Sequence, residues 1–101
     1  MGEWDWHDIV LTMRPPTLIP RPETEELVEL ILDWLRPLAT VGTEACHFLD
    51  VGAGTGAIGL ALLNRLSSAQ CCACDVSADA VQLSLENAVK VCMQLHFYCC
   101  I

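Results

Sequence analysis

The stretch Asp50-Val51-Gly52-Ala53-Gly54-Thr55-Gly56 decides how this chain folds. Immediately before the glycines, Cys46-His47-Phe48-Leu49-Asp50-Val51 is a short run with the length and composition of a buried strand. Beyond them, Ala57 to Leu66 reads as a helix, closed by Ser67 and Ser68. The glycines therefore stand where a strand hands over to a helix, and each lets the backbone turn tightly or lie close against a ligand. Working outward, a second strand is expected over Cys71 to Val76. Ser77 then offers an N-cap with Asp79 in the first turn, ahead of apolar positions Ala80, Val81, Leu85, Ala88 and Val91. His96 to Ile101 has the composition of a third strand. Strand, helix, strand, helix, strand is the order of an α/β parallel sheet with right-handed crossovers.

The N-terminal part has a different character. Ile9-Val10-Leu11-Thr12-Met13 alternates weakly, as an edge strand or hairpin arm does, and leads into a segment stiffened by Pro15, Pro16, Pro20 and Pro22. Pro22 suits the first turn of a helix, Glu23, Glu25 and Glu26 complement its positive dipole end, and Leu27, Val28, Ile31, Trp34 and Leu35 recur at helical spacing. Pro37 is expected to stop that helix, with a loop from Leu38 to Ala45. The chain thus divides into a lead-in over residues 1–22 and an α/β part over 23–101. Trp4 and Trp6 fall on one strand face, Trp34 on the buried helix stripe, and His47 in a strand core.

Asp75 closes the second strand nineteen residues after Gly56, the spacing at which a carboxylate reaches both hydroxyls of a ribose. Turn and carboxylate together describe a cleft for a nucleoside-type cofactor, with Asp50, Gly52, Ala53, Gly54, Thr55, Gly56 and Asp75 as its residues. Gly54-Thr55-Gly56-Ala57-Ile58-Gly59 also satisfies the dinucleotide fingerprint G-x-G-x-x-G, so a dinucleotide is the alternative ligand. Two observations favour another choice. The first glycine of that fingerprint should follow the strand directly, yet Gly52 and Ala53 intervene. Asp50 would repel a pyrophosphate, whereas it would attract a sulfonium and an ammonium group. S-adenosylmethionine carries both.

Composition narrows the remaining classes. With 53% hydrophobic and 18% charged residues, the 101-residue chain is too apolar to stay disordered. A net charge of −8 repels phosphate backbones and anionic lipid heads, which argues against nucleic acid as a partner. The longest apolar run, Val51 to Leu63, is interrupted by four glycines and is shorter than the ~20 residues of a membrane span. The N-terminus is acidic where a signal or transit peptide is basic. Seven cysteines form an odd set with no secretory signal before them, so reduced thiols in an intracellular compartment are expected. Cys71-x-x-Cys74 with His96-x-x-Cys99 has the ligand types of a zinc site, and a small zinc-binding or partner-pairing module is the competing reading. Without a glycine to shape a metal knuckle, these cysteines read better as small buried hydrophobes.

Successive motifs carry a resemblance. Leu18-Ile19-Pro20-Arg21-Pro22-Glu23-Thr24-Glu25, the Asp50 to Ile58 stretch, Asp75-Val76-Ser77 and Glu86-Asn87-Ala88 resemble signatures of the HemK/PrmC protein-(glutamine-N5) methyltransferases over about residues 3 to 90. The resemblance implies a class I, Rossmann-like methyltransferase sheet, of which this chain would be the N-terminal half in truncated form. It implies S-adenosylmethionine as cofactor, with Gly52 to Gly56 against its methionine and ribose region and Asp75 on its ribose hydroxyls. Ile19 to Glu25 would flank that cleft and orient the first helix. The implied partner of full-length members is a peptide chain release factor, methylated on the glutamine of its Gly-Gly-Gln motif. The implied compartment is the mitochondrion or the cytoplasm. The family's Asn-Pro-Pro-Tyr motif, which holds the target amide, has no counterpart here, since the sequence contains no Asn-Pro dipeptide. The 89–101 tail departs from the family pattern, as in an alternatively spliced form. Catalytic incompetence and an open third strand prone to pair with another chain are the corresponding expectations.

Overall fold

Weak alternation at the N-terminus resolves into a hairpin, with Ile9–Met13 as one of its arms. In the computed structural model, which describes residues 2–17, 19–41, 47–66 and 69–101, β1 (Gly2–Trp6) pairs antiparallel with β2 (Ile9–Met13), Gly2 opposite Met13 and Trp6 opposite Ile9. His7, at the turn, takes a positive φ of 55°. Its Nε2 lies 3.2 Å from Glu29 Oε1, fastening the hairpin tip to α1 (Glu23–Val41). Trp4 and Trp6 share a face as the alternation implies, but only Trp6 is buried, its indole N–H donating to the Ala57 carbonyl at 2.9 Å.

Helix α1 begins where Pro22 and the glutamates placed it and runs through Pro37 to Val41, overturning the expected stop. A proline inside a helix removes one N–H bond and crowds the carbonyl four residues back, which bends a helix without having to end it. Of the expected loop, residues 38–41 are therefore helical and 42–45 lie outside the described residues. The buried stripe is Val28 and Leu32; Trp34 is 72% exposed, because at 3.6 residues per turn it lies far round the helix from both.

The second half follows the expected order. β3 (His47–Val51), α2 (Ala57–Arg65), β4 (Gln70–Cys74), α3 (Ala78–Lys90) and β5 (Phe97–Cys100) build a parallel sheet in the order β3-β4-β5, so the α/β class holds. Register pairs Phe48 with Cys71 and Cys71 with Phe97, and Asp50 with Ala73 and Ala73 with Cys99. That face is covered by the helices. The opposite face, with Leu49, Val51 and Tyr98 at 65%, 73% and 70% exposure, is bare among the described residues. β4 is consequently half buried and not the continuously buried strand expected, and His47 is exposed rather than in the core. Both follow from the single cover, since parallel strands read as fully buried only when helices lie on both faces.

Candidate cofactor cleft

β3 ends at Val51 and the chain turns at once. The amides of Gly52 and Ala53 both donate to the Cys74 carbonyl, at 2.8 and 3.0 Å, so the turn hangs from the end of β4. Gly52, Gly54 and Gly56 have φ of +77°, +58° and +87°, the left-handed region that a side chain makes costly. Nothing lies within 4 Å of where a Gly52 Cβ would stand, so the turn presents bare backbone to open space. Gly56 is the N-cap of α2 and supplies no side-chain cap, leaving the first amides of the helix for other acceptors.

Asp75 meets this turn from the end of β4. Its Oδ2 accepts the Gly54 amide at 2.9 Å and its Oδ1 accepts the Ser77 amide at 2.9 Å. Ser77 in turn caps α3 through the Ala80 amide at 3.2 Å. The carboxylate is thus oriented by two backbone donors, one on each oxygen.

A cleft of about 350 Å³ opens along these groups. Gly52, Ala53, Gly54 and Thr55 form one wall and Asp75 and Ser77 the other, so five of the seven expected residues come together here. Asp50 and Gly56 do not line it. Gly56 is buried where an added Cβ would stand 3.0 Å from Leu60 and 3.2 Å from Ser84, a packing constraint. Asp50 points to the helix-covered face beneath the turn, its Oδ2 buried without a partner in bonding geometry. Burial pushes the Asp50 carboxyl up from the usual carboxylate range, the Gly59 amide opposes this, and the Asp75 charge adds to it. Asp50, expected from the sequence to attract a sulfonium, thus stands beneath the turn and outside the cleft lining.

Sequence reasoning missed part of the site. Pro16 and Thr17 reach the cleft from the proline-rich segment, joined by Pro20 and Thr24 from the stretch that the resemblance placed beside it. The hydroxyls of Thr17 and Thr55, two of the residues that line the cleft, are buried and have no hydrogen-bond partner in the structure. Asn87 was legible only as part of a motif. It is fully buried, accepts the Thr12 amide at 2.7 Å, and donates to the carbonyls of Thr12 and Thr55 at 3.1 and 2.9 Å. A polar residue on the otherwise apolar stripe Ala80, Leu83, Asn87 was the available signal. Open glycine backbone and an oriented carboxylate fit a ribose-bearing cofactor.

The zinc constellation does not assemble. Cys71 faces the helices and Cys74 the bare side of the same strand, Cys99 is buried under the helices, and the His96 ring meets Gln70 at 3.0 Å. Among the described residues no three His, Cys, Asp or Glu side chains are gathered to hold a metal ion. None of the described helices is long and apolar enough to cross a membrane.

Comparison with known proteins places the chain in a family. The chain is 43% identical over 96 residues to the human MTRF1L release factor glutamine methyltransferase, covering 93% of this chain and 28% of that protein. It is 43% identical over 91 residues to the release factor glutamine methyltransferase of Vibrio cholerae and 41% identical over 87 residues to that of Escherichia coli. These matches cover 90% and 86% of this chain, which spans only 30% and 29% of those proteins' length. Among solved structures, the MccD protein superposes with a TM-score of 0.59 at 20% identity, over 79% of this chain and 33% of that one. Coclaurine N-methyltransferase, solved with N-methylheliamine and SAH, gives 0.55 at 18% identity, over 84% and 24%. The methyltransferase small domain matches residues 29–99, which takes in most of the 89–101 tail expected to depart from the family and ends within β5. The glycine turn, Asp75 and the strands that carry them, β3 and β4, all lie within the matched residues, and the chain belongs to the methyltransferase small domain family.

Proposed function

We propose that this chain is the cofactor-binding part of a protein-glutamine methyltransferase, with S-adenosylmethionine in the cleft and a peptide chain release factor as the substrate of the whole protein. The observation that carries the reading is the Asp75 carboxylate tied to the Gly54 amide, which makes glycine turn and ribose-reaching acid one rigid unit. Gly52, Ala53, Gly54 and Thr55 would cradle the ligand through backbone groups, and Asp75 would take its ribose hydroxyls. Asp50 and Gly56 hold the turn's shape from beneath. Residues 1–22 serve as the lead-in that roofs the cleft and 23–101 as the α/β part. When bound, S-adenosylmethionine supplies an electrophilic methyl group on a sulfonium. Methyl transfer to an amide nitrogen also requires that nitrogen to be held in line, and with no Asn-Pro-Pro-Tyr counterpart in these 101 residues the polypeptide binds without transferring. We assign the uncovered sheet to self-association, and, on the family resemblance, the parent protein to mitochondria, which fractionation of expressing cells tests.

Titration calorimetry with S-adenosylhomocysteine tests the cofactor. Binding is expected, weakened about tenfold in Asp75→Ala by loss of charge-assisted hydrogen bonds. Binding of NADH in its place would overturn the choice of cofactor. With tritiated S-adenosylmethionine and a release factor bearing Gly-Gly-Gln, label transfer is expected to stay at the level of a Gly54→Arg control.

A further inference from the structure

The described cysteines divide between the two faces of the sheet. Cys71 and Cys99 are buried under the helices, and burial pushes the Cys71 thiol up to about 12, so it stays protonated and unreactive. Cys72, Cys74 and Cys100 stand on the bare side, Cys100 exposed and Cys74 half-buried. Cys74 and Cys100 are register partners on neighbouring parallel strands. Such strands run about 4.8 Å apart, inside the Cα separation of roughly 4.4–6.8 Å that a disulfide spans. Cys72 is opposite Tyr98 instead, and lies two residues along its strand from Cys74, about 6.6 Å away.

The pair also sits at the junction from which the cleft hangs. The Cys74 carbonyl holds the amides of Gly52 and Ala53, at 2.8 and 3.0 Å. The next residue, Asp75, accepts the Gly54 amide and donates its own amide to the Cys100 carbonyl at 3.2 Å. Any movement of β5 against β4 at this register is therefore passed by backbone hydrogen bonds to the glycine turn.

We propose that Cys74 and Cys100 are a redox-sensitive dithiol that a low-molecular-weight disulfide converts to an intramolecular bridge, and that closing the bridge weakens the cleft's hold on its ligand. The second half rests on the cofactor reading given above. The exposed Cys100 thiolate attacks one sulfur of the small disulfide, whose other sulfur leaves as a thiolate and takes up a proton. The Cys74 thiolate then attacks Cys100 in the mixed disulfide and releases the second small thiol. Two protein thiols lose two electrons and two protons, and one small disulfide becomes two thiols. Bringing the two Cβ atoms to about 3.8 Å draws the strand ends together and shifts the carbonyls that carry Gly52, Ala53 and Asp75.

The test incubates the full chain with glutathione disulfide, alkylates remaining thiols and maps the product by mass spectrometry. Tryptic peptides 66–90 and 91–101 are expected to become linked, with fragmentation placing the bridge at Cys74 and Cys100 in the parent chain, without need of a variant. The link is expected to vanish in Cys74→Ser and Cys74→Ala and to persist in Cys72→Ser. The oxidised chain is expected to bind S-adenosylhomocysteine on the order of tenfold more weakly, the scale of a modest coupling between sites, and dithiothreitol to restore it. A bridge mapped elsewhere, a disulfide-linked dimer, or glutathione left on Cys100 without closure overturns the dithiol. A Cys74–Cys100 bridge that leaves the affinity unchanged overturns the coupling. A reduced chain that bridges but never binds S-adenosylhomocysteine supports the dithiol and overturns the cofactor reading.

Discussion

At the scale of single residues, Asn87 and Asp50 carry opposite burdens. Asn87 satisfies three backbone groups at once, so Asn87→Ala leaves the Thr55 carbonyl and both Thr12 groups without their partner. We expect a loss of about 2–4 kcal/mol, since stranded buried polar groups cost roughly 1–3 kcal/mol each and water recovers part. Urea unfolding followed by circular dichroism checks it; a shift under half a kcal/mol would mean the clamp contributes little. Asp50, by contrast, is a liability when charged. Burial foremost raises its folded-state pKa above the unfolded value, so its contribution is fully present below about pH 4 and is lost as pH rises through the folded value. Asp50→Asn is therefore expected to be more stable than the parent at pH 7, with the difference closing toward pH 4. A difference independent of pH would show that the carboxyl is not desolvated.

At the scale of elements, the tightest joint is where α2 crosses the sheet. A Cβ on Gly59 would stand 2.9 Å from Cys71 Sγ and 3.2 Å from Phe97, both on the sheet beneath. Alanine favours a helix over glycine by up to ~1 kcal/mol, but crowding a packed core costs roughly 1–3 kcal/mol, so Gly59→Ala should lower stability by about 1 kcal/mol net. Adding Cys71→Ala removes the sulfur and should recover much of it, a coupling that a double-mutant cycle reads directly. The same joint shows what was legible beforehand. β3, the glycine turn and α2 were readable because their signals are local: strand length, glycines needing a left-handed φ, and Asp75 at a fixed spacing. Trp34 and β4 misled because burial belongs to the partner surface. Trp34 lies on a helical stripe yet points off the body, and β4 is apolar on both faces with cover on one. Thr17 and Pro16 carry no signal of their own, since they reach the cleft only through the chain's path over it.

At the scale of the molecule, one side of the sheet has helices and the other has none among the described residues. Leu49, Val51 and Tyr98 line the bare side, and β3, the strand that carries the glycine turn, is an edge of the sheet among the described residues, as β5 is. In open sheets of this winding the first strand is central and ligands bind where the strand order reverses beside it. Unpaired strand edges and apolar faces associate, while a net charge of −8 opposes it and salt screens that charge. Sedimentation velocity should therefore show larger species as salt and protein concentration rise, and Leu49→Lys with Tyr98→Lys should return the chain to monomer. A monomer at all salt concentrations would mean the face is tolerated bare.

Asn87 also joins two distant stretches of chain in one motion. The same side chain grips Thr12 in the hairpin and Thr55 in the turn, so displacing it loosens both at once. In hydrogen-exchange terms the hairpin and the turn form one cooperative unit, and their protected amides should exchange at a common rate. The hairpin thereby sets how long the glycine turn beside the cleft keeps its shape.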